Sequence, residues 1–433
     1  MAALSLVTMD SLAVPFAQAG IMRSLHVSGV TVVWAMIANC LAWAVLLPTG
    51  CALRSRYGDR TVFVAGQLVL AAACVSTAAA PDAAWLIAGR IGQGTAAALI
   101  VPTALAHLAD SCSPRVRGML PVITGGAAEL SAVLGALTCA GVVESLGWRW
   151  VFWLNLPVCI ASLGLALTLR WADFAPRRRL DPVAAAVFAA GTSSLIWALM
   201  NGDLRGWTSS PILLCFACGT ALLAVHATGS MPLGGFRVRQ LTGFRVGYAC
   251  GCAALFGGLW VLPARFASGD GDPLGVWARM APCYVGLLAC APLSGLLAHH
   301  IGPRRLATAA LGTAALGTGL LSIAVGDGAA YPELFLPLAL TGGGIALALP
   351  AARSLAISSP RVANPGQELA SSAPLRLFAG AVGLATVSAA AGPHGFEPPA
   401  VGGNARLAAS LLAMAALCAA GCAAALTGSW RAR

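Results

Sequence analysis

Fourteen runs of about twenty apolar residues recur along this chain, and that recurrence limits it to one class of structure. The hydrocarbon core of a bilayer is about 30 Å thick and takes about 20 helical residues to cross. Backbone groups inside it find no water, so each run has to satisfy its own hydrogen bonds as a helix. The runs fall near 2–22, 29–51, 61–80, 84–108, 118–142, 150–169, 182–201, 209–228, 241–263, 275–298, 305–325, 332–352, 367–391 and 407–428. The first and thirteenth carry polar residues and prolines and are the least regular. Charged residues make up 9% of the chain, against about 25% in an ordinary soluble domain. The expected fold class is therefore an all-α integral membrane protein of about fourteen transmembrane helices.

The arginines orient the spans. All 26 basic residues are Arg. With the N-terminus inside, seventeen fall in inner loops (Arg54, Arg56, Arg60, Arg115, Arg304 and Arg305 among them) and five in outer ones. Four stand at membrane depth: Arg90, Arg245, Arg279 and Arg376. Acids such as Asp82, Glu144, Asp203, Asp272 and Glu333 mark the outer loops. This is the positive-inside bias, and an even span count puts both termini on the cytoplasmic side of the plasma membrane. The formal charge of +11 is scattered singly, which excludes a nucleic-acid partner. The fourteen Cys fall mostly inside apolar runs and read as reduced thiols acting as small hydrophobes. The first run carries Asp10 and has no basic lead, so it is expected to stay as an anchor.

Within this frame the fourth run is the most unusual: Ala84-Trp-Leu-Ile-Ala-Gly-Arg90-Ile-Gly-Gln93-Gly94, continuing to Pro102. An arginine at membrane depth costs roughly 2.5–3.5 kcal/mol on insertion scales and usually faces a bundle interior. Gly92 and Gly94 let another helix approach closely. Gln93 adds a second polar group, and Pro102 frees a backbone carbonyl. The plainer alternative is an arginine that snorkels to the interface.

An internal repeat divides the chain. Leu53-Arg-Ser-Arg-Tyr-Gly58-Asp-Arg60, after the second run, is echoed by Leu297-Ala-His-His-Ile-Gly302-Pro-Arg304-Arg305, after the tenth. The offset is 244 residues (302 less 58). This implies a six-helix half over 1–170, a connector with two inserted helices over 171–235, and a second six-helix half over 236–433. Paired halves about a central site are a transporter signature.

With these residues in place, the chain resembles the major facilitator superfamily, and within it the fourteen-span drug:proton antiporters. The most specific piece is Gly89-Arg90-Ile-Gly-Gln93-Gly94 with Pro102. Trp148-Arg149-Trp150-Val-Phe152-Trp-Leu-Asn155-Leu-Pro157 resembles the family's start of span 6, and also reads as an interfacial aromatic belt. The resemblance implies proton coupling through Arg90 and Gln93, with Asp10 and Glu129 as candidate acids. A carboxylate in low dielectric favours its neutral form and a nearby cation its charged form, so an acid beside Arg90 can switch. Gly94, Pro102, Gly58, Arg60, Gly135, Gly302, Arg304 and Arg305 fall on the family's packing and gating motifs. Trp43, Trp260 and Arg376 are candidates for a substrate cavity.

The chain also departs from the family. Cys51 stands where the loop motif's first glycine is expected, Ser55 where its acid is expected, and His299 in the second copy. The span-5 motif has lost its proline around Gly135 and Gly141. Those losses put the usual charge clasp and strict antiport in question. They keep open an uncoupled or differently coupled carrier of a small organic metabolite. No GxxxxGK loop and no metal-spaced cluster occurs in the sequence. The expected partners are a small-molecule substrate, protons and the lipid bilayer, with a monomer, no cofactor and no enzymatic activity. Arg279 has no account at this level, and His107 and His226 are expected near the interface.

Overall fold

The computed structural model describes residues 2–169, 171, 182–227, 243–266, 272–357, 365–391 and 403–427. Its first half comprises α1 (Ala2–Leu25), α2 (Gly29–Tyr57), α3 (Asp59–Ala78), α4 (Ala83–Ser111), α5 (Pro114–Leu146), a short α6 (Arg149–Trp153) and α7 (Asn155–Thr168). An inserted hairpin follows, α8 (Pro182–Arg205) and α9 (Ser210–Ala227). The second half runs through α10 (Gly243–Phe266), a short α11 (Pro273–Arg279), α12 (Ala281–Ile301), α13 (Pro303–Gly326), α14 (Tyr331–Ile357), α15 (Pro365–Ala391) and α16 (Gly403–Thr427). Most of the connector segments 171–181 and 228–242 lie outside the described residues.

Each expected run coincides with a helix, except that two are broken. The run at 150–169 divides at Leu154 and the run at 275–298 at Met280. Each break lies just ahead of a proline, Pro157 and Pro282. Proline donates no N–H and its ring crowds the carbonyl four residues back, so the helix restarts with proline in its first turn. Among the described residues nine helices are long and apolar enough to cross a membrane, and three shorter apolar segments lie in α5, α9 and α15. The protein is a multi-pass membrane protein; the expected fourteen would add α1, α8 and those three.

The two halves pack by the same pattern. In the first, α4 lies on α2 and α3, α5 on α1, and α7 on α3 and α1. In the second, α14 lies on α12 and α13, α15 on α10, and α16 on α13 and α10. The halves meet along two seams, α2 against α15 and α5 against α11 and α12. The inserted hairpin sits at one of them. Its α8 packs on α2 and α15 while α9 packs on α8, and the Phe188 and Phe378 rings meet at 5.9 Å.

The repeated loop explains itself in three dimensions. Gly58 and Gly302 hold φ of 84° and 85°, the region that favours glycine, and turn the chain directly into α3 and α13. Two residues on, Arg60 donates to the Leu167 carbonyl (3.1 Å) at the end of α7. Its repeat partner Arg304 donates to the Leu426 carbonyl (2.9 Å) at the end of α16. Each arginine therefore caps the last helix of its own half, where carbonyls lack partners and the dipole favours a cation. Arg305 is exposed. Arg279 does the same work elsewhere: it stands in α11, ahead of the apolar span Ala281–Ile301, and donates to the Phe266 carbonyl (2.9 Å) that closes α10.

The first copy of the loop holds an ion pair within its own half. Arg54 Nε and Nη2 bind the two carboxylate oxygens of Asp59 at 2.6 and 2.9 Å across the α2–α3 turn. Burial opposes the Arg54 cation, but the bonded Asp59 carboxylate outweighs it and raises the Arg54 pKa. Asp59 is buried and also sits in the first turn of α3, where an acid suits the helix dipole. Asp59→Asn should lower stability by about 1.5–3 kcal/mol, the worth of a hydrogen bond to a charged group. Thermal unfolding of the detergent-solubilised protein reads this; an unchanged melting temperature would show the clasp to be incidental.

Candidate functional site

Arg90 is 1% exposed. Snorkelling to an interface is thereby excluded, and the desolvation cost of the guanidinium has to be met by acceptors inside the bundle. Two are amides. Gln93 Oε1 accepts from Nη1 at 2.8 Å. Asn39 on α2, with its amide oxygen turned to the guanidinium, accepts from Nη2 at 2.7 Å and Nη1 at 3.3 Å. A planar fork is suited to such divided bonding.

The glycines of the motif place this group. A side chain at Gly89 would meet Thr77 of α3, and one at Gly92 would meet Ala73 of α3. One at Gly94 would run into the Asn39 carbonyl of α2. Arg90 and Gln93 are thus bracketed by close approaches on two sides. Pro102 completes the arrangement. It leaves the Ala98 carbonyl without its helical donor, and that carbonyl points where a Gly50 side chain would stand. Only glycine fits at 50, so the close-packing residue is Gly50, one position before the Cys51 that stood at the expected glycine.

Beyond Gln93 the network reaches a residue that no motif marked. Gln93 Nε2 donates to the Cys74 sulfur on α3 at 3.3 Å, and Asn155 Nδ2 on α7 donates to the same sulfur at 3.6 Å. Arg90, Gln93, Asn39, Asn155 and Cys74 are all buried. The span-4 and span-6 motifs, read separately in the sequence, therefore meet at one thiol. Cys74 packs as a small hydrophobe in the α3–α4–α7 core and is also a hydrogen-bond acceptor. All fourteen cysteines are thiols rather than disulfides, and Cys218, three residues beyond Cys215 on α9, is exposed rather than buried.

The second half repeats the packing but not the chemistry. Gly342 of α14 abuts the Cys283 carbonyl of α12 as Gly94 abuts Asn39, 248 residues on (342 less 94). At the same offset from Arg90 stands Leu338, fully buried.

The other candidates are distributed as follows. Asp10 and Glu129 lie on α1 and α5, with side chains outside the described residues. Helix α1 packs on α4 and α2, whereas α5 packs on α1 and on the second half. Gly135 is buried on α5. Arg376 is half-buried on α15, and the Cys40 thiol of α2 is in electrostatic reach of both Arg376 and Arg90. Trp43 is half-buried against the cluster that joins α3, α4 and α7. Its indole N–H and both amide atoms of Gln67 are buried with no hydrogen-bond partner among the described residues. Trp260 is 0% exposed and belongs to the core cluster around α10. Trp148 is buried and donates to Ser24 Oγ at 2.7 Å, so only Trp150 and Trp153 of that motif are exposed as a belt. The His107 ring meets the Trp171 ring at 4.4 Å, tilted by 38°, where the connector leaves α7. At the opposite end of the bundle, Glu144 at the end of α5 accepts from the Leu274 N–H of α11 at 3.1 Å, a bond between the halves. Among the described residues no His, Cys, Asp and Glu cluster suits a metal ion.

Comparison with known proteins agrees with this architecture. A family model described as Major Facilitator Superfamily matches residues 1–383. A methylenomycin A resistance protein of Streptomyces coelicolor is 32% identical over 279 residues, 61% of this chain and 57% of its own length. A tetracenomycin C resistance and export protein of Streptomyces glaucescens is 29% identical over 310 residues, 69% of this chain and 57% of its own. The chain thus spans little more than half the length of these relatives. Among solved structures, the xylose transporter XylE of E. coli, in a partially occluded inward-open conformation, superposes with a TM-score of 0.63 at 13% identity. That match covers 98% of this chain and 97% of XylE.

Proposed function

The chain belongs to the major facilitator superfamily, and on that premise we propose that it is a secondary transporter which exports small hydrophobic or amphipathic compounds in exchange for protons. The observation that carries the coupling claim is the burial of Arg90 between amide acceptors on α2 and α4. A buried cation lowers the pKa of an acid brought near it, while an apolar site raises it. A carboxylate that meets Arg90 in one conformation and leaves it in the other therefore takes up and releases a proton as the halves move. Asp10 and Glu129 are the candidate acids; α1, the helix of Asp10, packs on α4, and α5, the helix of Glu129, packs on α1. Two halves with one packing pattern, joined along two seams, supply the rocking that alternating access requires. The arginine distribution supports fourteen spans with both termini cytoplasmic in the plasma membrane. The Glu144–Leu274 contact then lies on the outer face. Relatives named for antibiotic resistance and export support the substrate class. The protein works as a monomer without cofactor.

Everted vesicles from cells expressing the protein test this with a panel of hydrophobic dyes, ethidium among them. Acidifying the lumen should drive dye uptake, and nigericin should abolish it. Uptake that persists at the same rate after the gradient collapses would replace antiport with an uncoupled carrier.

A further inference from the structure

A glutamine beside a buried arginine has two amide orientations, and only one of them bonds. With Oε1 toward the guanidinium, Gln93 accepts from Arg90 at 2.8 Å; turned over, it would set its NH₂ against another donor. The Arg90 bond itself favours that orientation, and a group on the far side of the amide helps to hold it. That group is the Cys74 sulfur, an acceptor 3.3 Å from Nε2. Asn155 donates to the same sulfur from α7, so the thiol also ties the Arg90 cluster to the helix that follows the Pro157 break. We propose that Cys74 is a positioning residue for Arg90. Its sulfur holds the Gln93 amide with the oxygen facing the guanidinium and links it to Asn155, so that four helices carry the arginine as one unit.

The close contacts around it support this role. Gly89 and Gly92 bring α4 against Thr77 and Ala73 of α3, on either side of Cys74. The sulfur is therefore held at a fixed separation from Gln93. Sulfur is a weak acceptor, but here it is fully buried and held close to Nε2. The second half shows the contrast. Thr318, 244 residues on from Cys74 (318 less 74), turns its hydroxyl back to the Ala314 carbonyl of its own helix, and the arginine position there is Leu338.

The proposal rests on the coupling reading for its transport consequence, but not for its geometry, and the test separates the two. Cys74→Ala removes the acceptor and leaves room; Cys74→Ser keeps an acceptor. In everted vesicles with an acidified lumen and ethidium outside, Cys74→Ala should lower gradient-driven uptake about ten-fold, as expected for misplacing one hydrogen bond to a buried charge. Cys74→Ser should stay within about two-fold of wild type. Alongside, a double-mutant cycle on thermal unfolding compares Cys74→Ala, Gln93→Leu and the double variant, a cycle that isolates pairwise coupling. If the sulfur acts through Gln93, Cys74→Ala costs less in the Gln93→Leu background than in wild type. Additive losses in the cycle, or equal uptake by the Ala variant and wild type, would show that Cys74 only fills space. If wild type takes up no ethidium under the gradient, the cycle alone decides the positioning claim.

Discussion

Arg90→Lys is expected to abolish gradient-driven export while leaving the protein folded. The guanidinium spans two helices, with Nη1 on Gln93 of α4 and Nη2 on Asn39 of α2. An ammonium is a single point charge on a flexible stem and cannot present that fork. It keeps the charge, so a loss of coupling in the lysine variant isolates geometry from electrostatics. Two hydrogen bonds to a buried charge are worth about 1.5–3 kcal/mol each, and each 1.4 kcal/mol is ten-fold in a rate or equilibrium. Uptake under an imposed proton gradient should therefore fall about a hundred-fold or more. Exchange of substrate across vesicles without a gradient should fall much less. Arg90→Ala should lose the gradient-driven rate as well and in addition stability, because it leaves the two amides facing an empty space. Wild-type gradient dependence in the lysine variant would remove Arg90 from the coupling mechanism altogether.

Gly94→Ala should damage the same site from the other side. A methyl at 94 would occupy the place of the Asn39 carbonyl and press on Ala42 of α2. The obstacle is backbone, which has no rotamer to escape into, so α2 and α4 have to separate. Overpacking of this kind costs about 1–3 kcal/mol. The residue displaced is also the one that accepts from Arg90, so coupling should fall along with the melting temperature. Gly164→Ala is the control: it lies exposed on α7 with no atom within 4 Å of a new methyl. There a helical Gly→Ala change should be neutral or stabilising by about 0.5–1 kcal/mol. If both substitutions behave alike, the α2–α4 approach is looser than it appears and the account of Gly94 fails.

What could be read from the residues alone was governed by periodicity and by repetition. Apolar runs mark helices because each must bury or immerse a whole length of backbone, and the echo of Gly58–Arg60 in Gly302–Arg305 is visible because both turns need the same backbone geometry. Arg90 could be singled out because a cation in an apolar run is expensive. Its partners could not. Cys74 and Asn39 sit on helices that approach α4 only after folding, and an acceptor sulfur leaves no spacing pattern to find. The Asp59 clasp escaped for a different reason: the acid moved four residues from the position where it was sought, across a turn that brings it back to Arg54. Arg279 finds no account in a run read as one helix. Pro282 two residues beyond Met280 was the signal that it is two, and the break puts the arginine at a helix end where it can cap α10.

The inserted hairpin has a consequence for the symmetry of the whole molecule. The two halves share one packing pattern, and if they were alone the α2–α15 and α5–α12 seams would be interchangeable. Helices α8 and α9 clip onto the first of these seams. A rotation that swaps the halves no longer maps the protein onto itself, so in the plane of the bilayer it has a front and a back. Closure along the back has to carry the hairpin with it, and a lipid-borne molecule meets a different surface depending on the side from which it drifts in.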